Sequence, residues 1–217
     1  MDIEYIHLPP SPFLFLTGYP YSWTFYHHIK EEIVQEFQFK DEILTSINKV
    51  FASIDYARKN LTFIGVHVRR SDYVRLMRKH YRGVVAHSGF FQQAMDYFNE
   101  KYEETAYLVV SDDLEWCRLN INNSLGNVHF VGNGDLSSPA YDLALMAHCN
   151  HSIIDIGSFG FWGAYLAGGE TIYLTNYTLP DSPFLKAMKY NASYLPEWIP
   201  IAANLTPIAV HLNITGI

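Results

Sequence analysis

Five short runs rich in β-branched and aromatic residues, at 62–68, 106–111, 128–132, 152–156 and 171–175, alternate with windows of helical periodicity at about 89–102, 113–121, 139–148 and 160–167. Such a chain has few options, because each helix must carry the backbone to the same end of the sheet before the next strand begins. The pattern predicts an α/β fold, a parallel sheet with helices on both faces. Ahead of it the sequence reads as a helical pair, with Ser22 as N-cap for Trp23–Phe37 and a second apolar stripe over Asp41–Ile54. We expect a helical segment over residues 1–58 and a sheet domain over 59–217, whose end from Asn176 onward, rich in Pro, Asn and aromatics, forms an irregular tail.

The first strand is the informative one. Thr62–Val68 is apolar and then empties into His67, Arg69, Arg70 and Asp72, at the carboxyl end of a strand, where open α/β sheets bind nucleotides. Two adjacent guanidiniums offer planar, permanently charged forks that suit phosphate oxygens, so a diphosphate is the expected ligand. The competing reading is a solvated ion-pair cluster at a strand end, with His67 an ordinary core histidine.

Three further places match that end of the sheet. Ser111-Asp112-Asp113 follows the strand 106–111, where the acids either accept from ribose hydroxyls or cap the next helix. Gly157-Ser158-Phe159-Gly160 follows 152–156 and opens a helix whose amides and dipole suit an anion, unless the glycines serve only tight packing. Asp142 lies on a helix that starts at Ser138-Pro139, either as a partner for the helix dipole or as an acceptor toward a ligand.

Composition narrows the rest. A net charge of −7 with 15 Lys plus Arg leaves no basic stripe for a nucleic-acid backbone. The apolar runs Phe13–Leu16 and Phe159–Ala167 fall well short of the ~20 residues a spanning helix needs. Cys117 and Cys149 are the only cysteines, which leaves one bridge or two thiols equally open and gives no metal-ligand spacing. Asn-x-Ser/Thr triplets occur at Asn60, Asn122, Asn150, Asn176, Asn191, Asn204 and Asn213, a density that favours a lumenal history. Asn150 and Asn176 are better placed for cap or turn roles, which leaves Asn60, Asn122, Asn191, Asn204 and Asn213 as glycosylation candidates.

The string His67-Val68-Arg69-Arg70-Ser71-Asp72-Tyr73 closely resembles the signature of galactoside α-1,2-fucosyltransferases, which use GDP-fucose. Other blocks resemble the family in order: Ser22-Trp23-Thr24-Phe25-Tyr26-His27-His28, Glu115-Trp116-Cys117-Arg118, Ile156-Gly157-Ser158-Phe159-Gly160-Phe161-Trp162, and Asn176 to Phe184. Ser71 stands where many members carry Gly, and Ser111-Asp112-Asp113 is more acidic than in vertebrate-like members.

The resemblance implies a Rossmann-like nucleotide-sugar-binding domain, the donor lobe of a GT-B-like glycosyltransferase. It implies transfer of fucose from GDP-fucose, with inversion, to the 2-hydroxyl of a terminal galactose on a glycan acceptor. Arg69 and Arg70 would grip the pyrophosphate and stabilise the leaving group, with Asp72 as an orienting acid ranked above a base. His67 would contact the nucleobase, Asp112 the donor, and Ser158, Phe159 and Gly160 the phosphates. In the wider set of Arg-motif fucosyltransferases, an acid placed like Asp142 pairs with guanine.

No Asp-x-Asp motif accompanies these residues, so transfer is expected to need no metal or other cofactor. Family members are Golgi enzymes anchored by a single helix. The anchor, the stem and part of a first lobe would then lie outside this chain, and membrane attachment would run only through that absent segment. The alternative is a GDP-sugar-binding fragment without turnover.

Overall fold

The computed structural model describes residues 22–55, 60–132 and 137–212, and every statement of structure below concerns those residues. Six strands form one sheet: β1 (Thr62–Val68), β2 (Thr105–Ser111), β3 (Val128–Phe130), β4 (His151–Ile154), β5 (Thr171–Thr175) and β6 (Ile199–Ala202). Their order is β3-β2-β1-β4-β5-β6, and all neighbours run parallel. This is the Rossmann-like order, with its topological switch between β1 and β4.

The connections are α3 (Ser71–His80) and α4 (Ser88–Lys101) after β1, α5 (Leu114–Asn120) after β2, α6 (Pro139–Ala147) after β3 and α7 (Ser158–Ala167) after β4. Strand alternation divides the core into two layers. Ile64, Val66 and Val68 of β1 pack on Phe90, Phe91 and Phe98 of α4. The other face joins Ala106, Leu108 and Val110 of β2 to Leu145, Phe161 and Tyr165 of α6 and α7.

Gly65 lets α6 lie flat on β1, since a Cβ there would come 2.8 Å from Met146 Sδ. Cys117 and Cys149 are free, buried thiols in opposite layers, so no bridge joins them. Burial pushes the Cys117 thiol up to about 11 and the Cys149 thiol higher still.

Three details depart from the sequence reading. The first helix breaks into two 3-10 turns, Trp23–Phe25 and His27–Ile29, before α1 (Lys30–Glu36). Consecutive aromatic and histidine side chains lose rotamer freedom in a helix, and here Tyr26, Trp162 and Phe37 stack instead. Helix α2 (Asp41–Asp55) forms as expected and buries Ile47 against the layer that holds α6. Helix α3 was not expected, because its ten residues hold four charges and bury only Met77.

The stretch after Asn176 is not irregular: it holds α8 (Phe184–Ala187), α9 (Tyr190–Ser193), β6 and α10 (Thr206–His211). Pro200 masked β6, yet an edge strand tolerates a proline. Asn150 accepts the Phe63 amide through Oδ1 at 2.8 Å, and Asn176 adopts a left-handed φ of 51°. The triplet at Asn213 and the apolar run Phe13–Leu16 lie outside the described residues.

Candidate active site

A cleft of about 330 Å³ opens at the carboxyl ends of β1 and β4, the switch point of the sheet. Alternation along β1 directs His67 toward α7 while Val66 and Val68 enter the α4 layer. Gly157 then turns the chain into α7 with φ 104° and ψ 157°, a conformation essentially restricted to glycine. Ser158 and Phe159 thereby open a ten-residue helix at the cleft, with its first amides unpaired by the helix itself.

Arg69 is the cation of this cleft. Its Nη1 lies 2.9 Å from Asp112 Oδ2 and its Nη2 lies 2.7 Å from Asp72 Oδ1, with the ring of Tyr73 5.1 Å from its guanidinium carbon. Burial raises the Tyr73 phenol above its ordinary range, with Arg69 opposing. The two acids differ in kind. Asp112 is 4% exposed; its Oδ1 accepts the Arg70 amide at 2.9 Å and its Oδ2 accepts the Ser71 hydroxyl at 2.5 Å. Asp72 is 58% exposed, and an ion pair that open to water is worth about 0–1 kcal/mol. The pair with Asp72 is therefore the one that an anion could displace at small cost, while the buried Asp112 fixes the guanidinium.

Arg70 does not share the cleft. It turns to the opposite side, where its guanidinium carbon sits 3.7 Å from the centre of the Trp116 ring. There Nη1 donates to the Ala86 carbonyl at 3.4 Å, and Nε stands 3.6 Å from Asp113 Oδ2. The expectation of a paired grip on one pyrophosphate is therefore replaced by one inward guanidinium and one that braces β1 against α5. Asp113, not Asp112, caps α5, accepting the Trp116 amide at 3.0 Å.

Gly160 also has a packing role. It is buried, and a Cβ there would lie 2.7 Å from His67 Nδ1, so the missing side chain admits the imidazole beneath α7. Asp142, in the first turn of α6, lies 8% exposed and lines the cleft. His67, Arg69, Asp112, Asp142, Ser158 and Phe159 thus meet in one place; Asp72 reaches it through Arg69, while Arg70 and Gly160 stand behind it.

Sequence reasoning missed Asp155. It is fully buried beyond β4, accepting the Arg69 amide at 2.7 Å through Oδ2 and lying 3.0 Å from His67 Nδ1 through Oδ1. Its signal was present: it is the one charged residue in the otherwise apolar run Ile153–Ile156.

Galactoside alpha-(1,2)-fucosyltransferase 2 of Hylobates lar is 50% identical over 212 residues, covering 97% of this chain and 62% of that protein. The Mus musculus protein of the same name is 50% identical over 97% of this chain and 61% of its own length. Galactoside alpha-(1,2)-fucosyltransferase 1 of Sus scrofa is 49% identical over 96% of this chain and 58% of that protein.

Among solved structures, NodZ alpha-1,6-fucosyltransferase soaked with GDP-fucose matches 59% of this chain and 43% of its own at a TM-score of 0.39 and 18% identity. The chain spans about three fifths of the length of the curated relatives it matches. A family model described as Glycosyl transferase family 11 matches residues 1–202, from before the first helix through the last strand of the sheet, and the chain belongs to that family.

Proposed function

We propose that this chain carries the donor-binding half of a galactoside α-1,2-fucosyltransferase, which moves fucose from GDP-fucose to the 2-hydroxyl of a terminal galactose with inversion at C1. One observation carries the reading: the Arg69 guanidinium and the first turn of α7 converge on one cleft at the switch point of a parallel sheet. A helix N-terminus and an arginine together suit a diphosphate. Asp142, which lines the same cleft, supplies an acceptor for the two-donor edge of guanine.

When the glycosidic bond breaks, negative charge grows on the departing GDP, and positive charge fixed in advance at that spot lowers the barrier. Arg69 fills this role, and Asp112 keeps it from collapsing into the cleft. Asp72, exchanging Arg69 for the donor, acts as an orienting acid. The acceptor is a galactose-terminated glycan, and transfer proceeds without a metal ion. The same reading puts the protein in the Golgi lumen, attached to the membrane through a segment outside these residues. The exposed asparagines Asn60, Asn122, Asn191 and Asn204 suit glycan attachment there.

A second reading is binding of the GDP-sugar by these residues without turnover. Both are tested by assaying this chain and an upstream-extended version with GDP-fucose and a lactose-type acceptor. Turnover by the chain alone refutes the second reading, and donor binding without turnover in the extended form refutes the first.

A further inference from the structure

Asp155 is a buried acid whose surroundings leave it one task. Its side chain has no solvent exposure, and both oxygens are engaged: Oδ1 at 3.0 Å from His67 Nδ1, and Oδ2 accepting the Arg69 amide at 2.7 Å. A single carboxyl group beyond β4 therefore ties down two residues at the end of β1, on either side of the switch point. Burial raises Asp155 above the ordinary carboxylate range, and the bonds from His67 and from the Arg69 amide draw it back. Two donors aimed at two oxygens are what a carboxylate needs to remain charged away from water.

The imidazole is held on its other sides as well. The Phe159 ring lies 5.4 Å from it, and Gly160 leaves space only for the ring itself. His67 lines the cleft with Nδ1 already engaged, which leaves Nε2 as the ring's remaining hydrogen-bonding atom. A carboxylate can only accept, so the proton between the two groups belongs to Nδ1, and in the neutral imidazole the lone pair is then on Nε2.

We infer that Asp155 is a positioning residue of the donor site, fixing His67 as the Nδ1–H tautomer so that Nε2 accepts from an N–H or O–H group on the nucleoside part of the ligand. The inference rests on the donor-binding reading above. It also explains what an acid does at the end of a buried apolar strand that an amide would not: with an Asn at 155, the amide oxygen would keep the Arg69 amide and its NH2 would donate to Nδ1. That would move the imidazole proton to Nε2 and present a donor to a donor.

The test uses the full 217-residue chain as wild type, Asp155→Asn, His67→Ala and the double variant. Calorimetric titration with GDP is joined to nitrogen NMR of the histidine tautomer in the absence of ligand. We expect Nδ1–H in the wild type and Nε2–H in Asp155→Asn, thermal midpoints within a few degrees of each other, and GDP affinity lower by on the order of tenfold in Asp155→Asn, the scale of one net hydrogen bond.

Adding His67→Ala to Asp155→Asn should then cost little more, since the acid acts through the imidazole. Titration of 2′-deoxy-GDP and inosine diphosphate distinguishes the two sources of the donor group, because the analogue lacking the contacted group loses its sensitivity to Asp155→Asn. Unchanged GDP affinity in Asp155→Asn, losses that simply add, or an Nε2–H wild type would each overturn the assignment. A wild type that binds no GDP would instead overturn the donor-binding reading itself.

Discussion

Arg69 and Arg70 are chemically alike and adjacent, yet they end on opposite sides of β1. The sequence places both at a strand end; which one faces the ligand depends on the side of the sheet on which α7 closes, and that is a matter of packing. Arg70 stacks on Trp116 with its guanidinium carbon 3.7 Å from the ring centre, a contact worth about 0.5–2 kcal/mol. We expect Arg70→Ala to lower the thermal midpoint by roughly 2–4 °C, the usual response to about 1 kcal/mol in a chain of this size, with GDP affinity nearly unchanged. Calorimetry and differential scanning on one preparation separate the two effects. His67, Asp112, Asp142, Ser158 and Phe159 were legible as cleft residues because each follows a strand or opens a helix at the same end of the sheet. Asp155 was passed over although it is the one charge in an apolar run, because an acid's value there lies in what it holds across the sheet.

Helix α7 shows how an element sets the site's precision. Gly157 supplies a backbone angle that other residues avoid, and Gly160 brings the helix down onto His67. Gly160→Ala should push the imidazole or the helix aside, destabilising by about 1–3 kcal/mol and weakening GDP binding together with the fold; denaturant unfolding and titration check the pair. Strands β1 to β5 and helices α4, α5, α6 and α7 were readable from periodicity. Helix α3 and strand β6 were hidden, the first by a surface of charge and the second by Pro200, because each is held by neighbours distant in the chain rather than by its own pattern.

His151 at the start of β4 gives this layer a pH response. It is stacked on Phe98 and Tyr102 at 5.5 and 4.7 Å and accepts the Glu170 amide at 3.0 Å through Nδ1. Burial lowers its pKa below the ordinary 6.5, with Glu170 opposing. The unfolded chain therefore takes up the proton first, so the contribution is complete above about 6.5 and is lost as pH falls toward the lower folded value. Chemical denaturation between neutral and mildly acid pH should show that fall in the wild type and a flatter profile in His151→Phe.

At the scale of the whole molecule, the strand order β3-β2-β1-β4-β5-β6 reverses direction between β1 and β4, and the cleft opens at that point. If leaving-group charge is met by Arg69, chelators should leave fucosyl transfer by an upstream-extended form intact, with added magnesium or manganese changing the rate little. Loss on chelation with recovery on metal addition would assign that role to an ion.

The central claim is that the cleft at the end of β1 grips a nucleoside diphosphate through Arg69, and titration of GDP into wild type, Arg69→Ala and Arg70→Ala tests it most directly. Losing a charge-assisted contact should weaken binding by on the order of tenfold to a hundredfold in Arg69→Ala, while Arg70→Ala binds nearly as the wild type does. Equal affinity in the wild type and Arg69→Ala would contradict the account.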